Sequence, residues 1–404
     1  MIHICFGLHD GSGKYSKFIG TSMASVFEKT SSPVTIHILH DATLTSNNRE
    51  KFYELAEKYN QSVEFHDVEQ LCPDEINFLR EKLADKINSR FSIGAFYRLL
   101  IKKIIKTGKI IYLDADIVVN LDINELWQHD LANFPIAAVP EVDATQNFII
   151  TNKFLLNTGF VKVQDYFCSG VIIFNLDRLD EKFFYDGAQF LANNPACESP
   201  DQDILNAFFS KNYLKLAQKF DSFVIIDRRL RSPVTEKIYH YAGQTFGLDR
   251  NNPYDKLFIE NFARTPWLNA DALLNLGEEF RVENDKSSLR AQWLMKIALS
   301  HRRAFFIETK NVAVIKELFQ IQDDELIIEI RNQNSLKELI TKMHESRGQK
   351  MFFIFFENYD FIVEVLVKNG FKERRHFLNG LMFMTREQSG YTYSPPERSF
   401  IQAL

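Results

Sequence analysis

Glycine and proline are scarce in this chain, 16 and 11 residues among 404, where a globular protein spends about 7% and 5% of its residues on them. Dense elements joined by short loops follow. Only four cysteines occur, Cys5, Cys72, Cys168 and Cys197. No two form a CxxC pair, which excludes a zinc ribbon and leaves free thiols in a reducing compartment as the expectation. Long apolar runs are missing too. Patches such as MFFIFF at 351–356 have strand length, far short of the ~18 residues that span a bilayer. The opening MIHICFG has a strand pattern without the basic flank of a secretion signal, so no transmembrane segment and a cytoplasmic location are expected. Nor is there an excess of positive charge. Forty-eight basic against 53 acidic side chains give −5, which argues against a nucleic-acid partner.

What the chain does have is a globular balance, 45% hydrophobic and 25% charged residues, with 37 phenylalanines to fill cores. Disorder, a collagen-like fibre and a disulfide-stapled miniprotein are excluded. At about 150 residues per domain the length allows two or three domains. Apolar alternation places strands at 2–6, 34–39 and 62–68. Helices are expected at 17–28 and at 49–60, where Phe52, Leu55, Ala56 and Tyr59 share one face. A helix at 95–106 and buried strands at 110–113, 136–139 and 171–175 continue the series. This β/α alternation predicts an α/β fold with a mainly parallel sheet. Near 265 the texture changes, and after the charged stretch RVENDKSSLR a second series begins. It has helices at 287–299, 311–319, 335–346 and 358–369, and strands at 304–308, 326–330, 351–356 and 377–384. Two domains are therefore expected, 1–270 and a smaller α/β domain at 271–404.

The strongest local signal is IIYLDADIVVN, which sets Asp114 and Asp116 directly after an apolar strand. In open α/β sheets ligands bind beyond the carboxyl ends of strands, and two carboxylates there can hold a divalent cation. The bland alternative is two aspartates solvating a turn. Arg98, two residues beyond Phe96 on the expected helix, falls about 200° from that apolar face. It is expected to point away from the core, toward solvent or a ligand. At PDQDILN, Ser199 fits an N-cap, Pro200 the first helical residue and Gln202 the reciprocal partner of a capping box. Gly11-Ser12-Gly13-Lys14 suggests a phosphate loop, but the first glycine of that motif is missing and Tyr15 stands where a hydroxyl must meet Mg²⁺. A phosphatase-type Asp-x-Asp-x-Thr fails at Val118.

These segments also resemble glycosyltransferase family 8. The matches run in order: FGLHD near the start, FSIGAFYRLL at 91–100, DADIVVNLDINELW at 114–127, CSGVIIFNLDRL at 168–179, PDQDILNAFF at 200–209 and YHYAG at 239–243. The resemblance covers the first domain and implies a GT-A fold, a Rossmann-like mixed sheet, and a retaining hexosyltransferase. Galactose or glucose would pass from a UDP-sugar to a hydroxyl of a glycan or glycoprotein. By the same resemblance Mn²⁺ is held by Asp114, Asp116 and His240. The donor lies against His9, Asp10, Arg98, Asp114, Glu141, Cys168, Ser169, Asp201, Gln202 and Gly243, and Gln202, Asp201 and Asp116 carry the chemistry. The chain departs from the family pattern at four places. His9 stands where an acidic residue or Asn is usual, so that Asp10 or backbone takes the nucleoside. Glu141 replaces an Asp, Cys168 an Asn, and Phe246 a diphosphate-binding Lys, for which Arg250 or Lys256 are substitutes. These departures keep a second class in view, a non-catalytic carbohydrate- or partner-binding protein on a degenerate scaffold.

The second domain has no DxD, no glycine phosphate loop and no Cys/His cluster placed at a strand end. His344, Arg347, Lys350, Lys372, Arg374, Arg375 and His376 form a basic group interleaved with Tyr359, Phe371 and Phe377. It is expected either as a solvated face or as a docking surface for the acceptor. Added domains of this kind resemble those of bacterial transferases that extend glycans on serine-rich adhesins, which makes such a glycoprotein the expected acceptor.

Overall fold

The computed structural model describes residues 1–87, 92–141, 154–243, 246, 251–274, 302–331, 333–346, 348–373 and 375–383. The chain divides into two compact units, with the break between Leu276 and Gly277. The expected helix at 287–299, the stretch RVENDKSSLR, Arg250, Arg347 and Arg374 lie outside the described residues.

In the first unit the strands are β1 (Ile2–Leu8), β2 (Val34–His40), β3 (Ser62–Asp67), β4 (Lys109–Leu113), β5 (Ile117–Val119), β6 (Ile136–Pro140), β7 (Phe167–Asn175), β8 (Leu214–Lys215), β9 (Ser222–Phe223) and β10 (Ile238–His240). Seven of them make one sheet in the order β3-β2-β1-β4-β7-β6-β8. β3, β2, β1 and β4 run parallel, whereas β7 is antiparallel to both β4 and β6. The sheet is mixed and mainly parallel, as the alternation predicted. Two apolar clusters fill its faces, one around Ile4, Ile36, Ile111 and Ile173, the other around Cys5, Tyr97, Tyr112 and Ile172. Alternate residues of β1, β4 and β7 supply each, because successive strand side chains point to opposite faces. All four cysteines are buried free thiols. A second sheet, β5-β10-β9, is built from strands of two or three residues, too short to leave a periodic pattern in sequence.

The reversal of β7 positions the site. Leu113 at the end of β4 pairs with Val171 in the middle of β7, and the Asp114 N–H donates to the Gly170 carbonyl (2.9 Å). The motif CSG therefore sits beside the paired aspartates although 54 residues separate Asp114 from Cys168. The Tyr241 N–H donates to the Asp116 carbonyl (2.9 Å), which brings the end of β10 to the same place.

The segment expected as an α-helix over 95–106 differs. Ile93–Leu100 is a 3-10 helix, and only Ile101–Ile104 is α-helical. It packs against β1, β2 and two helices and keeps no solvent face, so the helical-wheel argument that sent Arg98 outward does not apply. Arg98 is 5% exposed. With three residues per turn, it lies one turn beyond Ala95, whose carbonyl accepts from Arg98 Nε (3.0 Å). The close approach requires glycine at two places. A Cβ on Gly7 would meet the Gly94 carbonyl oxygen at 2.6 Å, and one on Gly94 the His9 nitrogen at 2.9 Å.

The second unit is a parallel sheet in the order β12-β11-β13-β14, formed by β11 (Arg302–Glu308), β12 (Leu326–Ile330), β13 (Lys350–Phe355) and β14 (Phe377–Asn379). Helices Val312–Leu318, Gln333–Ser346 and Tyr359–Lys368 accompany it. The last strand is shorter than the expected 377–384 and gives way to a 3-10 turn at Gly380–Phe383. Two of the three aromatic residues expected to offer docking surface do not, and Tyr359 is partly buried against the same core. Phe377 is fully buried and Phe371 nearly so, both in the core with Leu339 and Phe352.

Candidate active site

A cavity of about 630 Å³ opens beyond the ends of β1 and β4, lined among others by Gly7, His9, Arg98, Tyr112, Asp114, Asp116, Ser169, Asp201, Gln202 and Gly243. Its floor is an ionic lattice. Arg98 Nη2 donates to Asp114 Oδ1 (2.6 Å). Its Nη1 donates to the Ser169 carbonyl (2.8 Å) and lies 3.2 Å from Asp201 Oδ2. Tyr112 lies under the guanidinium, 4.3 Å from ring centroid to Cζ, and its hydroxyl also donates to Asp114 (3.2 Å). One buried cation thus holds two carboxylates from two segments in a fixed arrangement, a task that suits a planar guanidinium.

Asp114, Asp116 and His240 each offer a ligand atom, all within 4.8 Å of one another. His240 Nε2 is 3.4 Å from Asp116 Oδ1. On its other side, Nδ1 meets Asp221 Oδ1 at 2.9 Å and Cys168 Sγ at 3.7 Å. The imidazole stacks on Phe223 with centroids 4.9 Å apart. Gly170 leaves room for it, since a Cβ there would sit 2.4 Å from His240 Cε1. A histidine whose second nitrogen is fixed by a buried carboxylate is the usual arrangement of a metal-binding imidazole. Two carboxylates and one imidazole fit a hard-to-borderline divalent ion such as Mn²⁺. The electrostatics agree with a site short of positive charge. Burial pushes the Asp114 carboxyl up to about 6, with Arg98 opposing and Asp116 adding to the rise. For Asp116 burial acts upward as well, but contact with His240 outweighs it and the carboxyl is lowered. His240 is raised well above its ordinary value because Asp221 and Asp116 outweigh its burial.

Gln202 is not the capping residue that the sequence suggests. Ser199 makes no side-chain cap bond to the helix Pro200–Phe209, and the Ser199 N–H donates to Asp203 Oδ2 (3.1 Å) instead. Asp203 takes the reciprocal role one residue later, which frees Gln202. Its Oε1 accepts from the Ser169 N–H (3.0 Å) and hydroxyl (3.3 Å). Its Nε2 donates to Glu141 Oε1 (2.8 Å) and the Tyr166 hydroxyl (3.2 Å). The amide is saturated and its orientation fixed.

Three residues expected at the donor stand behind the cavity wall. Asp10 ties down the start of the helix Ser16–Lys29, accepting from the Tyr15 N–H (2.6 Å) and Asn48 Nδ2 (2.9 Å). Glu141 backs Gln202, and Cys168, its thiol pushed up by burial, backs His240. His9 faces the cavity while Nδ1 meets Asp41 Oδ2 at 2.6 Å. Burial alone would raise the Asp41 carboxyl, but bonds from His9, Thr43 and Tyr97 hold it below its usual range. Phe246 packs in the core, stacked on Phe18 and Tyr241, and Lys256 pairs at 3.7 Å with Glu260 on an exposed helix face. Asp221, Tyr112 and Tyr166 had no signal in sequence, because each acts through a partner placed by strand pairing.

A DxD turn and an arginine-clamped pocket at the carboxyl ends of a mixed sheet fit a glycosyltransferase of the GT-A type. Residues 8–245 match the family model of Glycosyl transferase family 8, and the chain belongs to that family. It is 29% identical over 216 residues to a lipopolysaccharide 1,2-glucosyltransferase of Escherichia coli, covering 51% of this chain and 58% of that protein. It is 24% identical over 272 residues to the lipopolysaccharide 1,3-galactosyltransferase of Salmonella typhimurium, covering 63% and 77%. Among solved structures, the galactosyltransferase LgtC in complex with donor and acceptor sugar analogs superposes with a TM-score of 0.54 at 19% identity, over 67% of this chain and 98% of that one. That likeness carries the fold. Among the described residues no helix is long and apolar enough to cross a membrane.

Proposed function

We propose that this chain transfers galactose or glucose from a UDP-sugar to a hydroxyl of a glycan or glycoprotein, with retention at the anomeric carbon and dependence on Mn²⁺. The observation that carries the proposal is the convergence of Asp114, Asp116 and the buried His240, with Asp114 and Asp116 lining a cavity that Arg98, Asp201 and Gln202 also line. A divalent ion held by those three ligands supplies a positive centre for the charge that develops on a departing diphosphate. Arg98 keeps Asp201 and Asp114 oriented toward the sugar side of the pocket. Gln202 presents its fixed amide there as a dipole. An amide oxygen that already accepts two hydrogen bonds is a poor nucleophile, which favours attack of the acceptor hydroxyl on the face from which UDP leaves. In that step the bond from the anomeric carbon to the UDP oxygen breaks, the bond to the acceptor oxygen forms, and the acceptor proton passes to a diphosphate oxygen. The names of the lipopolysaccharide relatives support glucose and galactose as the sugars. The test is UDP release from each UDP-hexose with and without Mn²⁺, followed by anomeric analysis of the product.

A further inference from the structure

Away from the cavity, the edge of the main sheet carries three histidines on neighbouring strands: His3 on β1, His37 on β2 and His66 on β3. The registers Cys5↔His37 and His37↔Glu64 put His3, His37, Glu64 and His66 on the same sheet face, since side chains two apart share a face. His37 Nδ1 lies 3.1 Å from His66 Nε2 and 3.4 Å from Glu64 Oε2, and His66 Nε2 lies 3.8 Å from the same carboxylate oxygen.

Those three separations have a specific meaning. Ligands about 2.0–2.1 Å from a tetrahedral Zn²⁺ stand about 3.4 Å apart, and the three observed edges bracket that value. The atoms form one face of a coordination tetrahedron without any side chain having to move far. The rest of the arrangement agrees. His37 Nε2 is 3.0 Å from His3 Nδ1. This fixes the His37 ring and, when His37 donates, leaves Nδ1 as the ligating lone pair, as outer partners of metal-bound histidines do. The His3 and His66 rings both stack on that of His37, each with centroids 5.3 Å apart. Glu64 is paired with no lysine or arginine among the described residues, and its side chain is 57% exposed, which gives an ion a route from solvent and a water access to the fourth position.

We propose that His37, Glu64 and His66 form a second metal site, selective for an imidazole-preferring divalent ion such as Zn²⁺, which staples the edge strand β3 to β2. The two sites differ in chemistry. Two imidazoles and one carboxylate favour Zn²⁺, Ni²⁺ or Cu²⁺, whereas the carboxylate-rich cavity suits Mn²⁺ or Mg²⁺. This proposal does not depend on the transferase activity.

The test uses full-length protein carrying Asp116→Ala to disable the cavity ligands, stripped of metal and titrated with Zn²⁺ alone, and in parallel with Co²⁺ alone. One Zn²⁺ per chain is expected, with a raised melting temperature and, for Co²⁺, the intense visible bands of a low-coordinate complex. Adding His66→Gln should weaken Zn²⁺ by at least about a hundredfold, and adding Glu64→Gln, at an exposed position, by at least about tenfold. Glu64→Gln should leave the metal-free melting temperature unchanged, which separates ligand loss from misfolding. Failure of the Asp116→Ala protein to bind Zn²⁺, or binding of undiminished affinity in the His66→Gln and Glu64→Gln forms, would overturn the proposal.

Discussion

Asp221 Oδ1 lies 2.9 Å from His240 Nδ1, and Asp221 is fully buried. The contact makes Asp221 the residue that aims His240 Nε2 at Asp116. Asp221→Asn should therefore fold and yet bind Mn²⁺ about 10–100-fold more weakly, the usual cost of losing an outer partner. Excess metal should restore most of the turnover. Calorimetric titration of Mn²⁺ into both proteins checks this, and an unchanged affinity counts against the positioning role.

Gly170→Ala tests the same imidazole from the other side. Its new methyl would overlap His240 Cε1 at 2.4 Å, so the ring must move. Metal affinity should fall with stability, the latter by about 1–3 kcal/mol, as read by denaturant unfolding alongside the same Mn²⁺ titration.

Arg98 is buried between Asp114 and Asp201. Arg98→Met keeps the bulk and strands two carboxylates without their cation, which should cost about 3–5 kcal/mol. Because a divalent ion supplies charge at the same place, Mn²⁺ should raise the melting temperature of this variant more than that of the unmodified chain. Equal increments would show that Arg98 and the metal site are not coupled.

Gln202→Ala removes an amide that bonds to four groups. Lost partners should cost about 1–3 kcal/mol. If Gln202 faces the reacting sugar, kcat should fall by far more than the melting temperature implies, while an effect on stability alone returns the residue to a packing role. Steady-state kinetics well below the melting range separates the two.

Lys17 offers a pH test remote from the metal ligands. Burial, helped by Lys14 and opposed by Asp10, lowers its ammonium to about 8, whereas in the unfolded chain it titrates near its ordinary ~10.4. Between those values the unfolded chain holds more protons, so stability from this group rises with pH across the window and is lowest below 8. Lys17→Met should remove that slope. The difference in unfolding free energy between the two proteins should narrow from pH 8 to about 10.4, and parallel curves would contradict the assignment.

The strand before Asp114 was legible because an apolar run and a following pair of aspartates are local features. So were β1, β2 and the helix Ser46–Lys58, whose periodicity is set by a single buried face. The solvent alternative for Arg98 failed because a helical wheel assumes a solvent side, and a 3-10 segment enclosed by strands and helices has none; Arg98 is buried and lines the cavity instead. Gln202 fitted a capping box in sequence. Asp203 fills that role in the fold because Glu141, Tyr166 and Ser169 reach Gln202 from segments 33–61 residues away. Asp221 left no trace for the same reason, since only the parallel pairing of β9 with β10 brings it to His240. In the second unit, charged neighbours made Phe371 and Phe377 look like surface residues, while the sheet buries both.

Assaying purified full-length protein and a folded Asp116→Ala form for UDP release from UDP-galactose and UDP-glucose, each with Mn²⁺ and after chelation, tests the central claim most directly. Release is expected from the unmodified protein only when the metal is present, and none from the variant, whose melting temperature stays close to that of its parent. UDP release that survives chelation, or that persists in the Asp116→Ala protein, would contradict it.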